Sequence, residues 1–396
     1  MSISERIKNI HASQTLAITA QVLKMKAEGK KIISFGAGEP DFDTPGNIQE
    51  EAIKAIRSGF THYTTSSGIT ELKKAIIEKL ARDQNISYDV SEIIISNGAK
   101  HCLYNALMAL CNPGDEVILP TPCWVSYTEQ IKLAQAVPVF VQTDPDNQFR
   151  ISAEKIEKSI TNKTKAVLIN TPNNPTGSVY DKKELQKIAQ ILVKNDIYCI
   201  SDEIYEKLVY DNTKHFSIAS FGEKIKAKVI LINGVSKSYA MTGWRIGYAA
   251  GPKDIISGMS KFQGHCTSNA NSIAQVASVE ALIGNQDSIG HMHNEFDKRR
   301  RFIVKELNKI KGFSCNMPEG AFYAFPDIRE LLNAGIIYDG KKVTNSLELT
   351  NYILSESEVA VVPGSAFEAE GYLRMSYATS MEDIEEGINR LQKLFN

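Results

Sequence analysis

No two of the six cysteines form a Cys-x-x-Cys pair. They stand alone at Cys102, Cys111, Cys123, Cys199, Cys266 and Cys315, so neither a zinc ribbon nor a redox dithiol is expected. No uninterrupted apolar run reaches roughly 18 residues, so no helical membrane span is expected. The first residues mix Glu5, Arg6 and Lys8 with too little apolar length for a signal peptide, and a cytoplasmic protein is the expectation. Excess charge is missing too. Lysine and arginine total 45 against 46 acidic residues, a formal net charge of −1, which gives little field for capturing nucleic acid or an anionic membrane. The run Lys298-Arg299-Arg300-Arg301 reads as a solvated helix face. His291 and His293 lie two apart on a predicted helix and so on different faces, and no metal is expected there. Repeats, low-complexity tracts and Gly/Ser/Pro linkers are also absent.

What is present is ordinary soluble-protein composition over 396 residues, 43% hydrophobic and 23% charged. That length suggests two or three domains. Short apolar runs at 93–96, 117–119, 137–141, 166–170, 197–201, 229–233 and 246–249 read as strands. Those at 166–170, 197–201 and 229–233 are almost wholly apolar, as strands buried on both faces should be. Amphipathic stretches lie between them, such as 182–195 with Leu185, Ile188, Ala189 and Leu192 at helical spacing. The alternation predicts an α/β fold with a mostly parallel, doubly wound central sheet carrying helices on both faces. Beyond about Asn285 a long helical stretch, then Gly320–Phe325 and Val359–Val362, read as a smaller α+β unit.

Ligands of open parallel sheets sit outside the carboxyl ends of the strands. Asn174, Asp202 and Lys237 each fall at, or just after, such an end. Each has a plain alternative: Asn174-Pro175-Thr176-Gly177 is a good turn, Asp202 could cap a helix, and Lys237 could be a surface lysine. Together, with Tyr205 and Arg245 nearby, they are the groups that an internal aldimine of pyridoxal phosphate needs around it. Gly98-Ala99-Lys100 adds a strand-to-helix turn whose free N–H groups suit a phosphate.

In these motifs the chain resembles the class I aminotransferases of pyridoxal-phosphate fold type I, in the branch of bacterial aspartate and prephenate aminotransferases. The resemblance runs through Gly36–Pro45, Tyr63-Thr64, Trp124-Val125-Ser126-Tyr127, Asn174–Gly177, Ser201–Tyr205, Ser236-Lys237, Gly243–Tyr248 and Leu373–Tyr377. It implies a large cofactor-binding domain over 46–284 and a small domain built from 1–45 and 285–396. It implies that Lys237 holds the cofactor as a Schiff base and then shuttles a proton. Asp202 would pair with the pyridine nitrogen, Tyr205 and Asn174 with the phenolate oxygen, and Trp124 would stack on the ring. Arg245, Ser236 and the Gly98-Ala99-Lys100 turn would bind the phosphate, with Tyr63 reaching the phosphate of a second subunit in a homodimer. Arg374 would clamp the substrate α-carboxylate, helped by Asn174 and the Gly38 backbone.

In this branch a second substrate carboxylate would be received by Lys100, Ser13 and Thr15, although Lys100 could equally be a solvent-exposed helix-start lysine. The expected reaction is a ping-pong exchange between aspartate or glutamate and oxaloacetate or 2-oxoglutarate. Alternatives are an aromatic or prephenate aminotransferase and a cysteine–sulfur β-lyase on the same scaffold. A transcription regulator with an aminotransferase-like sensor domain is disfavoured, because these motifs begin within the first 40 residues.

Overall fold

The computed structural model describes residues 3–12 and 14–396. Its centre is a seven-stranded sheet. We label the strands β1 (Ile93–Ser96), β2 (Glu116–Thr121), β3 (Val137–Gln142), β4 (Thr164–Asn170), β5 (Tyr198–Asp202), β6 (Val229–Gly234) and β7 (Gly247–Ala250). Their spatial order is β1-β7-β6-β5-β4-β2-β3. The pairs β2·β3, β2·β4, β4·β5 and β5·β6 are parallel, and β7 runs antiparallel to both β6 and β1. The mostly parallel expectation therefore holds, with one reversed strand. All seven expected runs lie within a residue or two of an observed strand.

Alternation along the strands assigns the two faces of the sheet. Ile93, Ile95, Val167, Ile169, Cys199, Val229 and Leu231 pack in one core with Ile76, Leu80, Leu185, Ile188 and Leu192. Their neighbours Ile94, Ala166, Leu168, Ile200, Ile230 and Ile232 pack in another with Leu103, Leu107, Tyr127 and Met259. A period-two strand whose two faces are both apolar must be covered on both sides, and helices do so here. Lys182–Lys194 buries Leu185, Ile188, Ala189 and Leu192, the stripe expected from their spacing.

The smaller unit joins the two ends of the chain. Ile33–Ser34 pairs in parallel with Val359–Ala360, while Val362–Pro363, Leu373–Ser376 and Tyr323–Ala324 form an antiparallel three-stranded sheet. The helices Asp287–Leu307, Ser346–Ser357 and Met381–Phe395 close over it. Its core includes Phe35, Phe296, Phe322, Leu373 and Ile388, and also Ile204, Tyr205 and Leu208 from just beyond β5. The two units thus share apolar contact directly behind the ends of the central strands.

One expectation is corrected. Arg299 and Arg300 are buried, not part of a solvated helix face. Arg300 donates to Asp297, Asp211 and the Pro318 carbonyl, and its guanidinium lies 4.6 Å from the Tyr210 ring. Arg299 pairs with Asp41 at 2.7 Å and lies over Phe42, so it anchors the Asp41-Phe42 segment. Only Lys298 and Arg301 of that run are exposed.

Candidate active site

The carboxyl ends of the parallel strands open into one cavity of about 300 Å³. From β6 the chain turns through Val235 to Ser236 and Lys237, β5 ends on Asp202, and the turn after β4 carries Asn174. Ala99 and Lys100 enter from the helix that follows β1, and Trp124 from beyond β2. Tyr205, Arg245, Arg374, Gly38 and Thr15 complete the wall among the residues expected from the sequence. Gly98 sits directly behind Arg245. Tyr63 lies away from the cavity, with 89% of its surface exposed. Ser13 lies outside the described residues.

Asp202 is buried at the base of the cavity. Burial raises its carboxyl to about 6, while the hydroxyl of Tyr127 and the N–H of Ile204 oppose that rise. Those donors reach Oδ2 at 2.7 Å and Oδ1 at 3.2 Å. Among the described residues no lysine, arginine or histidine forms an ion pair with it, so the carboxylate is held open for a cation. Lys237 is shifted the other way. Burial lowers its ammonium to about 8, with Glu39 opposing and Arg245 and Arg374 assisting. Its Nζ donates to the Gly38 carbonyl.

The opposite end is cationic and tightly built. Gly98 has φ +87°, and among the described residues no side chain caps the helix Ala99–Leu110. A Cβ on Gly98 would stand 2.3 Å from Arg245 Nη2, and one on Gly247 would stand 2.2 Å from the Ala99 nitrogen. Glycine at both places lets Arg245 and the helix N-terminus converge on one spot. Arg245 is fixed by bonds to the carbonyls of Thr242 (2.8 Å) and Asn97 (3.4 Å). Backbone amides, a helix dipole and a guanidinium fork together suit a phosphate.

Arg374 is buried on Leu373–Ser376. It donates to Asn174 Oδ1 at 3.1 Å and the Gly36 carbonyl at 2.8 Å, while its Nε has no partner among the described residues. Lys100 holds its ammonium 4.6 Å from the centre of the Trp124 ring, and desolvation there, with Arg245 nearby, lowers its pKa. Lys100→Ala is expected to lower kcat/KM for acidic donors by about tenfold to a hundredfold more than for aromatic donors, the range of one hydrogen bond to a charged group. Equal losses across both donor sets in steady-state kinetics would contradict a role in reading the second carboxylate.

These residues fit pyridoxal phosphate. The group needs an anion for its ring nitrogen, donors for its phosphate and an amine for its aldehyde. Among the described residues, the cavity offers a buried carboxylate without an ion pair, an uncapped helix end beside Arg245, and a lysine whose ammonium is destabilised. The trio Glu203, Glu206 and His215 gathers ligand atoms within 4.8 Å, but the carboxylates already have protein partners. Glu203 accepts from Ser201 and Ser217 at 2.8 Å and lies 3.0 Å from His215 Nε2, and Glu206 pairs with Lys79.

Two wall residues, Tyr127 and Tyr323, carried no role in the sequence reading. Tyr127 stands three residues after Trp124, and their rings meet edge to face at 5.4 Å. One tyrosine thus steadies both the indole and the Asp202 carboxylate. Tyr127→Phe removes a hydrogen bond to an ionised acid, which contributes about 1.5–3 kcal/mol. The carboxyl of Asp202 should then titrate at least about one unit higher in the apoprotein, followed by carbon NMR. An unchanged titration would contradict this role.

A family model described as aminotransferase class I and II matches residues 30–391. An aspartate aminotransferase from Bacillus sp. (strain YM-2) is 48% identical over 391 residues, covering 99% of this chain and 98% of the relative. An aspartate/prephenate aminotransferase from Nitrosomonas europaea is 44% identical, with both chains fully covered. The solved structure of the Thermus thermophilus aspartate aminotransferase with maleate superposes with a TM-score of 0.94 at 36% identity, again over the whole of both chains. The chain belongs to the class I and II aminotransferases, in the branch of the aspartate and prephenate enzymes.

Proposed function

We propose that the protein moves an amino group between L-aspartate or L-glutamate and a 2-oxo acid in two half-reactions at the Lys237 cavity, with pyridoxal 5′-phosphate bound there. One observation carries the reading: a lysine held near 8 shares a single cavity with a buried unpaired carboxylate and a buried arginine whose Nε is unpartnered. When bound, the cofactor supplies an electron-accepting ring for the bonding pair released at the substrate Cα. Lys237 would hold the cofactor, and its Nζ, freed by the substrate amine, would carry the Cα proton. Asp202 would keep the ring nitrogen protonated, and Tyr205 and Asn174 would donate to the ring oxygen. Trp124 would cover one ring face. Arg245, Ser236 and the backbone amides of the Gly98-Ala99-Lys100 turn would hold the phosphate.

Arg374 would take the α-carboxylate in a two-point bond, helped by Asn174 and the backbone of Gly38. Lys100 and Thr15 would receive the second carboxylate. The Thermus relative was solved with maleate, a dicarboxylate, which supports an acidic substrate. The Nitrosomonas relative's name favours prephenate as a further acceptor. The exposed Tyr63 would reach the phosphate of a second copy in a homodimer. No helix among the described residues is long and apolar enough to cross a membrane. All six cysteines are unpaired, which supports a reducing, cytoplasmic setting.

The test is titration of the cofactor-loaded protein with L-aspartate and no oxo acid. The expected result is conversion of the cofactor's visible band to that of its aminated form, with one oxaloacetate released per site. Release of sulfide, pyruvate and ammonia from L-cysteine, in a parallel assay without oxo acid, would favour a lyase. An unmoved spectrum would overturn the acidic-donor assignment.

A further inference from the structure

We propose that Tyr323 is a positioning residue for Tyr205: its hydroxyl donates to the Tyr205 hydroxyl and so strengthens the bond that Tyr205 makes to the ring oxygen. This inference rests on the reading of the cavity as a pyridoxal phosphate site.

The two phenols come from different units of the fold. Tyr205 follows β5, and Tyr323 lies on the short strand Tyr323–Ala324 of the smaller unit. Both are buried. Their hydroxyl oxygens stand 2.7 Å apart, and either could donate. A pair of hydroxyls holds two protons and needs only one for the bond between them, so the second proton is free to point elsewhere. Both residues line the cavity. With a phenolate oxygen opposite Tyr205, the arrangement of lowest energy turns the Tyr205 proton to that oxygen and the Tyr323 proton to Tyr205. A hydroxyl that accepts one hydrogen bond donates a stronger one.

The strand register explains why Tyr323 is held so firmly. Ser376 stands opposite Tyr323 and Met375 opposite Ala324. Arg374, two residues before Ser376, therefore projects from the same face as Tyr323. Its guanidinium carbon lies 4.6 Å from the Tyr323 ring centroid, within cation–π range. The rings of Tyr205 and Tyr323 meet edge to face at 5.8 Å and 82°. The Gly38 backbone also runs close by, since a Cβ there would stand 3.3 Å from the Tyr323 hydroxyl. The ring of Tyr323 is thus fixed by Arg374 and its hydroxyl is aimed at Tyr205. Burial raises both phenols, Tyr205 well above the ordinary range, and Arg374 opposes the rise at each, so both remain protonated donors.

The two parts of the side chain separate by mutation. Tyr323→Phe keeps the ring against Arg374 and removes only the hydroxyl. The experiment is a pH titration of the visible absorbance of the cofactor-loaded protein, for wild type, Tyr323→Phe, Tyr205→Phe and the double variant. Equilibrium affinity of each apoprotein for pyridoxal phosphate is measured alongside. A hydrogen bond to the ring oxygen favours loss of the proton shared between that oxygen and the nitrogen of Lys237, so weakening it raises the titration midpoint. Tyr323→Phe should raise the midpoint by a few tenths of a unit, in the direction of Tyr205→Phe and by less. It should weaken cofactor binding about two- to threefold while leaving KM for L-aspartate within about twofold. In the Tyr205→Phe background it should add nothing. A midpoint unmoved by Tyr323→Phe, or moved equally with and without Tyr205, would overturn the proposal while the cofactor site stands. A wild-type protein that takes up no cofactor would overturn both.

Discussion

Lys237→Ala is expected to lower kcat with L-aspartate by at least about four powers of ten, the upper range for a positioned proton-transfer group. No neighbouring side chain in the cavity can substitute. Lys100 is turned over Trp124, and Arg245 and Arg374 stay protonated at any working pH. The apoprotein should keep its melting temperature, because burial above all already disfavours an ammonium at this position. The same shift sets the pH dependence of cofactor uptake. With its pKa lowered to about 8, Lys237 offers more free amine near neutral pH than an ordinary lysine does. The amine is the nucleophile, so uptake by the apoprotein should quicken as pH rises toward 8 and level off above it. Stopped-flow absorbance follows this directly. A flat profile, or an alanine variant that retains turnover, would contradict the role.

Asp202→Asn is expected to lower kcat/KM by about a thousandfold, or ~4 kcal/mol. Asparagine occupies the same volume, its one carbonyl oxygen can still accept from Ile204, and its NH2 can donate to the Tyr127 hydroxyl, so the substitution removes the charge with little change in packing. The wild-type carboxyl is held to about 6 because burial is offset by the donors Tyr127 and Ile204, and it is therefore mostly ionised at neutral pH. A neutral amide cannot hold a proton on the ring nitrogen by charge, and the ring then accepts electrons poorly. Steady-state kinetics at saturating cofactor measure the loss, and circular dichroism shows whether the fold is retained. Near-normal turnover would mean that the cofactor does not place its nitrogen here.

Much of this architecture was legible because apolar runs mark parallel strands, and polar residues at their carboxyl ends stand out against them. Asn174, Asp202 and Lys237 were found that way. The direction of β7 was not legible, since the run 246–249 is apolar whichever way it points. The burial of Arg299 and Arg300 was missed because a local charge run says nothing about partners such as Asp41, which lies 258 residues away. Tyr127 and Tyr323 escaped for the same reason. Their hydrogen-bond partners are 75 and 118 residues distant, and an aromatic residue in an apolar stretch reads first as core. The sequence placed Lys100 at a helix start and could not say where its ammonium pointed. Packing against Trp124 answers that.

The most direct measurement is to reconstitute the apoprotein with pyridoxal phosphate, reduce it with borohydride and map the labelled peptide by mass spectrometry. A single pyridoxyl group is expected, on Lys237. Label on Lys100 or spread over surface lysines would contradict it, and so would a protein that is not labelled at all.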